Sequence, residues 1–351
     1  MKERLLSLLK LIIGIGLLVY LYILLPDPQA LWQQIVTANL WLLLIGATCY
    51  ASAVALGGVK WGILLWSVQI RVPLSRLLSH QWQAEFFNNF LPGQVGGDVI
   101  RGYGLAMDTQ KRAAAAASVL IDRFIGLTVF MVAAAAATVI MQVWGRRLDG
   151  TPFSADQLMA IRFIELGVLG ITLVLLLITA ALLSRRLKQL AERILAHLPL
   201  ASRTVPIWQA LAAAFNAYRH QYRALVLTAL CSACIVVLTS INIWLIALAI
   251  EPNSISLLAV LAINPLIVFL ALAPISPGGL GLRQSAFAGL FLLIGSGFQL
   301  GFAVGLIQQL IGYLVSLPGG LLWMWGRGRA TPADPVQTLS ADSPVEPQLH
   351  S

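Results

Sequence analysis

Between Trp41 and Trp66 the chain carries a single charged residue, Lys60. As a helix, a run of that length and polarity crosses about 30 Å of hydrocarbon. Similar runs recur at Leu5–Leu25, Ala113–Val143, Ile161–Leu183, Ala224–Ile250, Leu257–Ala273 and Phe302–Trp325, with a shorter one at Ser285–Phe298. Only 11% of the residues are charged and 59% are hydrophobic, whereas soluble domains run near 25% charged. A soluble chain of this size has no interior large enough for so much apolar surface. The sequence therefore specifies an all-α polytopic integral membrane protein of about eight transmembrane segments.

The runs differ in their ends. Leu5–Leu25 has no small-residue cleavage site after its basic start, so it reads as a retained helix rather than a signal peptide. Pro26-Asp27-Pro28 stops it, and the connection to Asn39 holds no Lys or Arg. Ala113–Val143 is too long for one straight span, so its first turns belong near the interface. Pro265 falls inside Leu257–Ala273 and should kink it. Residues 1–329 form the membrane domain. Residues 330–351, rich in Pro, Ser, Asp and Glu, read as a disordered tail. Within the domain, 184–223 is a basic amphipathic stretch that reads equally as a surface helix and as a solvated connector.

The net charge of +9 does not point to nucleic acid, because the basic residues gather at the ends of apolar runs. With the N-terminus in the cytoplasm, 17 of the 23 Lys and Arg residues fall on the cytoplasmic side, three outside and three within spans. That is the positive-inside asymmetry, and it places both termini in the cytoplasm. Arg-rich loops on that face also favour anionic lipid neighbours.

Two stretches break the apolar pattern. The first, Glu85 to Tyr103, contains Asn88, Asn89, Pro92, Gly93, Gly96, Gly97, Asp98 and Arg101. The second, Pro277-Gly278-Gly279-Leu280-Gly281-Leu282-Arg283, repeats its Pro-Gly-x-(Val or Leu)-Gly core. Broken, glycine-rich segments in matching places of two apolar halves mark a transporter site, though Pro-Gly is also an ordinary turn signal. Non-helical backbone at membrane depth is tolerated only where protein buries it or where it lines a wet cavity. The glycines let backbone N–H groups face an anion such as phosphate. Arg101 and Arg283 are its charged contacts, or simple topology charges. Asn88 and Asn89 bond a headgroup. Asp98 orients an arginine, carries a proton, or caps a helix resuming at Val99.

Asp122 and Arg123 lie inside an apolar run, where each charge costs roughly 2.5–3.5 kcal/mol to insert. Adjacent helical positions do not face each other, so the two need separate partners. Asp122 with Arg101 and Arg123 with Asp98 are the pairings considered. His80 with Glu85 is a possible acid/base pair, but no metalloprotease or Walker motif accompanies it. Cys231-Ser-Ala-Cys234 has metal-motif spacing without a second ligand pair and reads as buried hydrophobes. No cofactor or metal is implied.

Three segments in order carry a family resemblance: Asn88–Arg101, Ile121-Asp122-Arg123-Phe124-Ile125-Gly126-Leu127, and Ser276–Gln284. Together they resemble the transmembrane region of the lysylphosphatidylglycerol synthase family, which includes the flippase domain of the multiple peptide resistance factor. The resemblance covers Leu5 to Trp325. In that family the second motif often ends Arg-Glu, whereas here Gln284 follows Arg283. The resemblance implies lipid translocation in a bacterial inner membrane. It also implies no catalysis by this part alone, since the soluble aminoacyl-transferase module of family members has no counterpart in the short tail. The expected partner is a membrane lipid, anionic or phosphate-bearing (phospholipid, polyprenyl or hopanoid type). Two alternatives stand beside translocation: an accessory subunit of an envelope-lipid biosynthesis enzyme, and an intramembrane enzyme acting on a lipid phosphate.

Overall fold

The computed structural model describes residues 12, 15–25, 27–91, 95–109, 112–144, 152–183, 189–190, 193, 201–273 and 275–327. Helical residues 15–23 precede α1 (Pro28–Val36), α2 (Leu40–Ser67), α3 (Leu74–Asn88) and α4 (Val95–Thr109). Then come α5 (Arg112–Trp144), α6 (Ala155–Leu183), α7 (Ala201–Tyr218) and α8 (Tyr222–Ile250). The last three are α9 (Leu257–Ala271), α10 (Leu282–Leu293) and α11 (Phe298–Arg327). Five of these, α2, α5, α6, α8 and α11, are long and apolar enough to cross a membrane. Outward-facing Leu310, Leu314, Leu317 and Leu321 on α11, and Phe163, Leu166 and Leu173 on α6, are about 50–70% exposed. Their helical spacing gives each helix a lipid-facing stripe.

Two of the expected segments are shorter than the rest. Leu257–Ala271 and Leu282–Leu293 are helical but short. At 1.5 Å per residue they reach roughly 22 Å and 18 Å, less than the hydrocarbon thickness. Residues 5–11, 13 and 14 of the first run, the tail 330–351 and most of 184–200 lie outside the described residues. The described remainder of the basic stretch, α7, is no free surface helix. Its Trp208, Ala212, Phe215 and Tyr218 are buried, and the last two pack with Leu64 of α2 and Ile121 of α5.

Helix α2 begins where Asn39 caps it, its side-chain oxygen accepting from the N–H of Trp41 (3.0 Å) and Leu42 (3.3 Å). It runs antiparallel to α8. The Asn39 N–H donates to the Ala249 carbonyl, and Gly46 lies against Asn242. Further along α2, Gly57, Gly58 and Gly62 lie against Gln81, Leu78 and Leu77 of α3. Small residues of this kind let membrane helices approach closely. On its other side α3 meets α11, where Trp82 Nε1 donates to the Val315 carbonyl at 3.1 Å. A helix of only 15 residues, weakly apolar, is thus clasped between two spanning helices.

The polar interval Arg71–Arg112 is consequently more regular than its glycines suggest. It folds as the α3–α4 hairpin, and α4 starts at Val95, ahead of Gly96 and Gly97. A first-turn N–H has no partner within its own helix. Here Asn88 Oδ1 accepts the Gly97 N–H at 2.8 Å. Asp98 accordingly lies within the first turn of α4, not at the cap of a helix resuming at Val99.

Candidate functional site

Lys60 on α2, Arg101 on α4 and Asp122 on α5 come from three helices and meet in the interior. Asp122 receives Lys60 Nζ at 3.0 Å and Arg101 Nη2 at 2.8 Å. Its neighbour Arg123 turns to Asp98, which accepts from Arg123 Nε at 2.5 Å and Arg101 Nε at 3.0 Å. Asp122 and Arg123 therefore take different partners, and both pairings weighed from the sequence are present. Arg101 also donates to Gln81 Oε1 at 3.2 Å. Its guanidinium lies 5.1 Å from the ring centre of Trp61, whose Nε1 donates to Ser118 Oγ at 3.1 Å. Burial, the largest influence on Arg101, pulls its pKa down, and the carboxylates of Asp122 and Asp98 more than offset it, leaving it above the ordinary arginine value.

A cavity of about 980 Å³ opens beside this cluster. Its charged lining is Lys60, Arg101, Arg123 and Arg283 against Glu85, Asp98 and Asp122, which leaves one net positive charge. The cations are not equivalent. The Arg101 side chain is 3% exposed and its donors are committed, whereas that of Arg123 is 40% exposed. Arg283, half-buried, has no ion-pair partner among the described residues. Glu85 accepts from the Tyr50 hydroxyl at 2.5 Å. Gln81, Asn88, Asn89 and Thr239 add neutral polar groups, and an apolar wall is formed by Val99, Tyr103 and Met107 of α4 and Leu120 and Leu127 of α5. Val99, Tyr103 and Met107 are each about 60% or more exposed, so this wall is open rather than enclosed.

The second Pro-Gly motif packs against the Asn89–Leu91 segment that leads into the first. The Gly278 N–H donates to the Leu91 carbonyl at 3.2 Å, and Gly278 sits at φ +59° with room for no side chain: a Cβ would lie 2.4 Å from the Asn89 carbonyl oxygen. Gly97 is equally tight, its virtual Cβ 2.2 Å from the Ala84 carbonyl oxygen. Asn89 Nδ2 donates to Ser316 Oγ of α11 at 2.8 Å, tying the junction to a spanning helix. Gly281, also at positive φ, donates its N–H to Gln284 Oε1 at 2.8 Å. Gln284, fully buried, thus holds the turn that places Arg283.

Of the residues expected at the site, Asn88, Asn89, Asp98, Arg101, Asp122, Arg123 and Arg283 line the cavity. Gly96, Gly97, Pro277, Gly278, Gly279 and Gly281 do not line it and build the junction behind it. Pro92 and Gly93 lie outside the described residues. His80 does not meet Glu85: it is paired with Asp108 at 2.9 Å, and Asp108 also meets Arg76 at 3.4 Å. Cys231 and Cys234 are free, and no metal-holding group of His, Cys, Asp or Glu occurs among the described residues. Tyr50, Lys60, Trp61 and Gln81 are additional. Lys60, a lone charge in an apolar run, is the one that sequence could have nominated.

A family model described as Lysylphosphatidylglycerol synthase TM region matches residues 7–319. No curated protein and no solved structure matches the chain.

Proposed function

Because the chain belongs to the lysylphosphatidylglycerol synthase transmembrane-region family, we propose that it moves a phosphate-bearing lipid between the leaflets of a bacterial inner membrane. The observation that carries this reading is the two-sided cavity. A charged end with one net positive charge suits a lipid's phosphate, and the apolar wall of α4 and α5 suits its chain. Arg283 and Arg123 are the docking cations, since planar guanidinium groups bind phosphate in a fork. Arg101 acts as a strut that keeps Asp98 and Asp122 in place. In this reading the chain is a carrier rather than a catalyst, and its basic helix ends face the cytoplasm.

The test uses purified protein in vesicles holding fluorescent phosphatidylglycerol or a fluorescent polyprenyl phosphate, with a membrane-impermeant quencher reporting leaflet exchange. Wild type moves one of the two reporters within minutes. Arg283→Gln slows that movement at least tenfold and elutes from sizing columns like wild type. Folded wild-type protein that moves neither reporter would overturn translocation. An unaffected Arg283→Gln would remove that residue from the docking site.

A further inference from the structure

Beyond the cavity, neutral polar side chains lie within the largest apolar cluster among the described residues. Thr239 of α8 is part of the cavity wall. Asn264 of α9 donates to Thr239 Oγ1 at 3.0 Å and to Ser240 Oγ at 2.9 Å. Next along α8, Asn242 donates to Gln308 Oε1 of α11 at 2.5 Å. Ser240, Asn242, Asn264, Gln308 and Gln309 are all 6% exposed or less. Ile243, Ile263 and Ile307, each adjacent in sequence to one of them, belong to the apolar cluster itself.

Hydrogen bonds between helices explain part of this line, since polar side chains hold membrane helices together. They leave other atoms unexplained. Among the described residues Asn242 Oδ1 has no hydrogen-bond partner, and neither amide atom of Gln309 has one. Leaving such a group buried without a partner is costly, a cost that an apolar side chain of similar shape avoids. Asn242 Oδ1 faces Gly46, where a Cβ would come within 3.3 Å. The direction of the line follows from the antiparallel pairing of α2 and α8. Asn242 lies closer than Thr239 to the Asn39–Ala249 end, so the line leads away from the charged cavity toward that end.

We propose that this line is the far half of the headgroup path. Its amides and hydroxyls stand in for water around a phosphate and its hydroxyl substituents after they leave Arg283. It carries no charge, so it solvates an anion without trapping it. This proposal rests on the translocation reading above.

Two measurements decide it. In protein whose Cys49, Cys231 and Cys234 are replaced by alanine, Ser240→Cys is compared with Val237→Cys, which lies on the lipid-facing side of α8 at 43% exposure. A small charged thiol reagent needs water to form and meet the thiolate. A path predicts that the Ser240→Cys thiol reacts at least tenfold faster, and equal inertness overturns it. In the vesicle assay, the double variant Asn242→Leu/Gln308→Leu removes both members of a pair, so neither is left orphaned. It is expected to slow lipid movement at least tenfold, with binding of the same fluorescent lipid to detergent-solubilised protein within twofold of wild type. If wild type moves lipid and the double variant matches it, the path is overturned and translocation stands. If wild type moves no lipid, translocation fails first and the path with it.

Discussion

Asp122→Ala destabilises the protein by about 3–5 kcal/mol, the usual cost of removing one partner from a buried ion pair. The cost arises because Lys60 and Arg101 both converge on this carboxylate, and the side chains of Lys60 and Asp122 are only 9% and 5% exposed. Without Asp122 two buried cations face each other with only Asp98 left to compensate Arg101, and Asp98 is shared with Arg123. Lys60→Met should cost less, because Asp122 keeps its 2.8 Å bond to Arg101. Adding Lys60→Met to Asp122→Ala should therefore recover part of the loss by removing one orphaned charge. Thermal unfolding in detergent, followed by loss of the monodisperse peak, ranks the three variants. If Asp122→Ala melts with wild type, or if the second substitution lowers the midpoint further, the cluster is not the electrostatic knot that its geometry indicates.

That knot also shows what sequence can and cannot reveal. Lys60, Asp122 and Arg123 are conspicuous because charges are costly in apolar runs, and adjacency alone separates the partners of Asp122 and Arg123. Lys60 and Asp122 are nonetheless far apart in the chain, and their 3.0 Å approach depends on how α2 and α5 pack. No periodicity carries that information. The apolar runs were legible because the hydrocarbon thickness fixes their length. α9 and α10 were harder, since a short apolar run reads alike whether it spans or stops inside protein. The regularity of α4 was hidden for another reason. Gly96 and Gly97 disfavour a helix by local propensity, and the compensating group is the side chain of Asn88, across a turn. Arg101 and Arg283 looked equivalent from their matching positions after two glycine motifs. Burial separates them, one committed on every side and the other facing the cavity.

Gly278→Ala should cost about 2–5 kcal/mol and open the contact between Gly278 and the Asn89–Leu91 backbone. Two effects add. A residue with a Cβ pays about 1–2 kcal/mol to hold the left-handed conformation, and Gly278 has φ +59°. The new Cβ would also lie 2.4 Å from the Asn89 carbonyl oxygen, which belongs to backbone and cannot rotate away, so one loop must move. Overpacking of this kind typically costs about 1–3 kcal/mol. Movement there breaks the Gly278 N–H bond to Leu91 and disturbs Asn89, whose amide is anchored on Ser316. Arg283 follows in the same turn, its own N–H bonded to the Gly279 carbonyl, so lipid movement should fall along with stability. Gly289→Ala on α10 is the matched control: nothing lies within 4 Å of its virtual Cβ, and in a helix alanine is favoured over glycine by up to about 1 kcal/mol. A melting midpoint for Gly278→Ala equal to that of Gly289→Ala would mean that Gly278 does not press on the Asn89 backbone. The cavity would then have to be held open by the spanning helices alone.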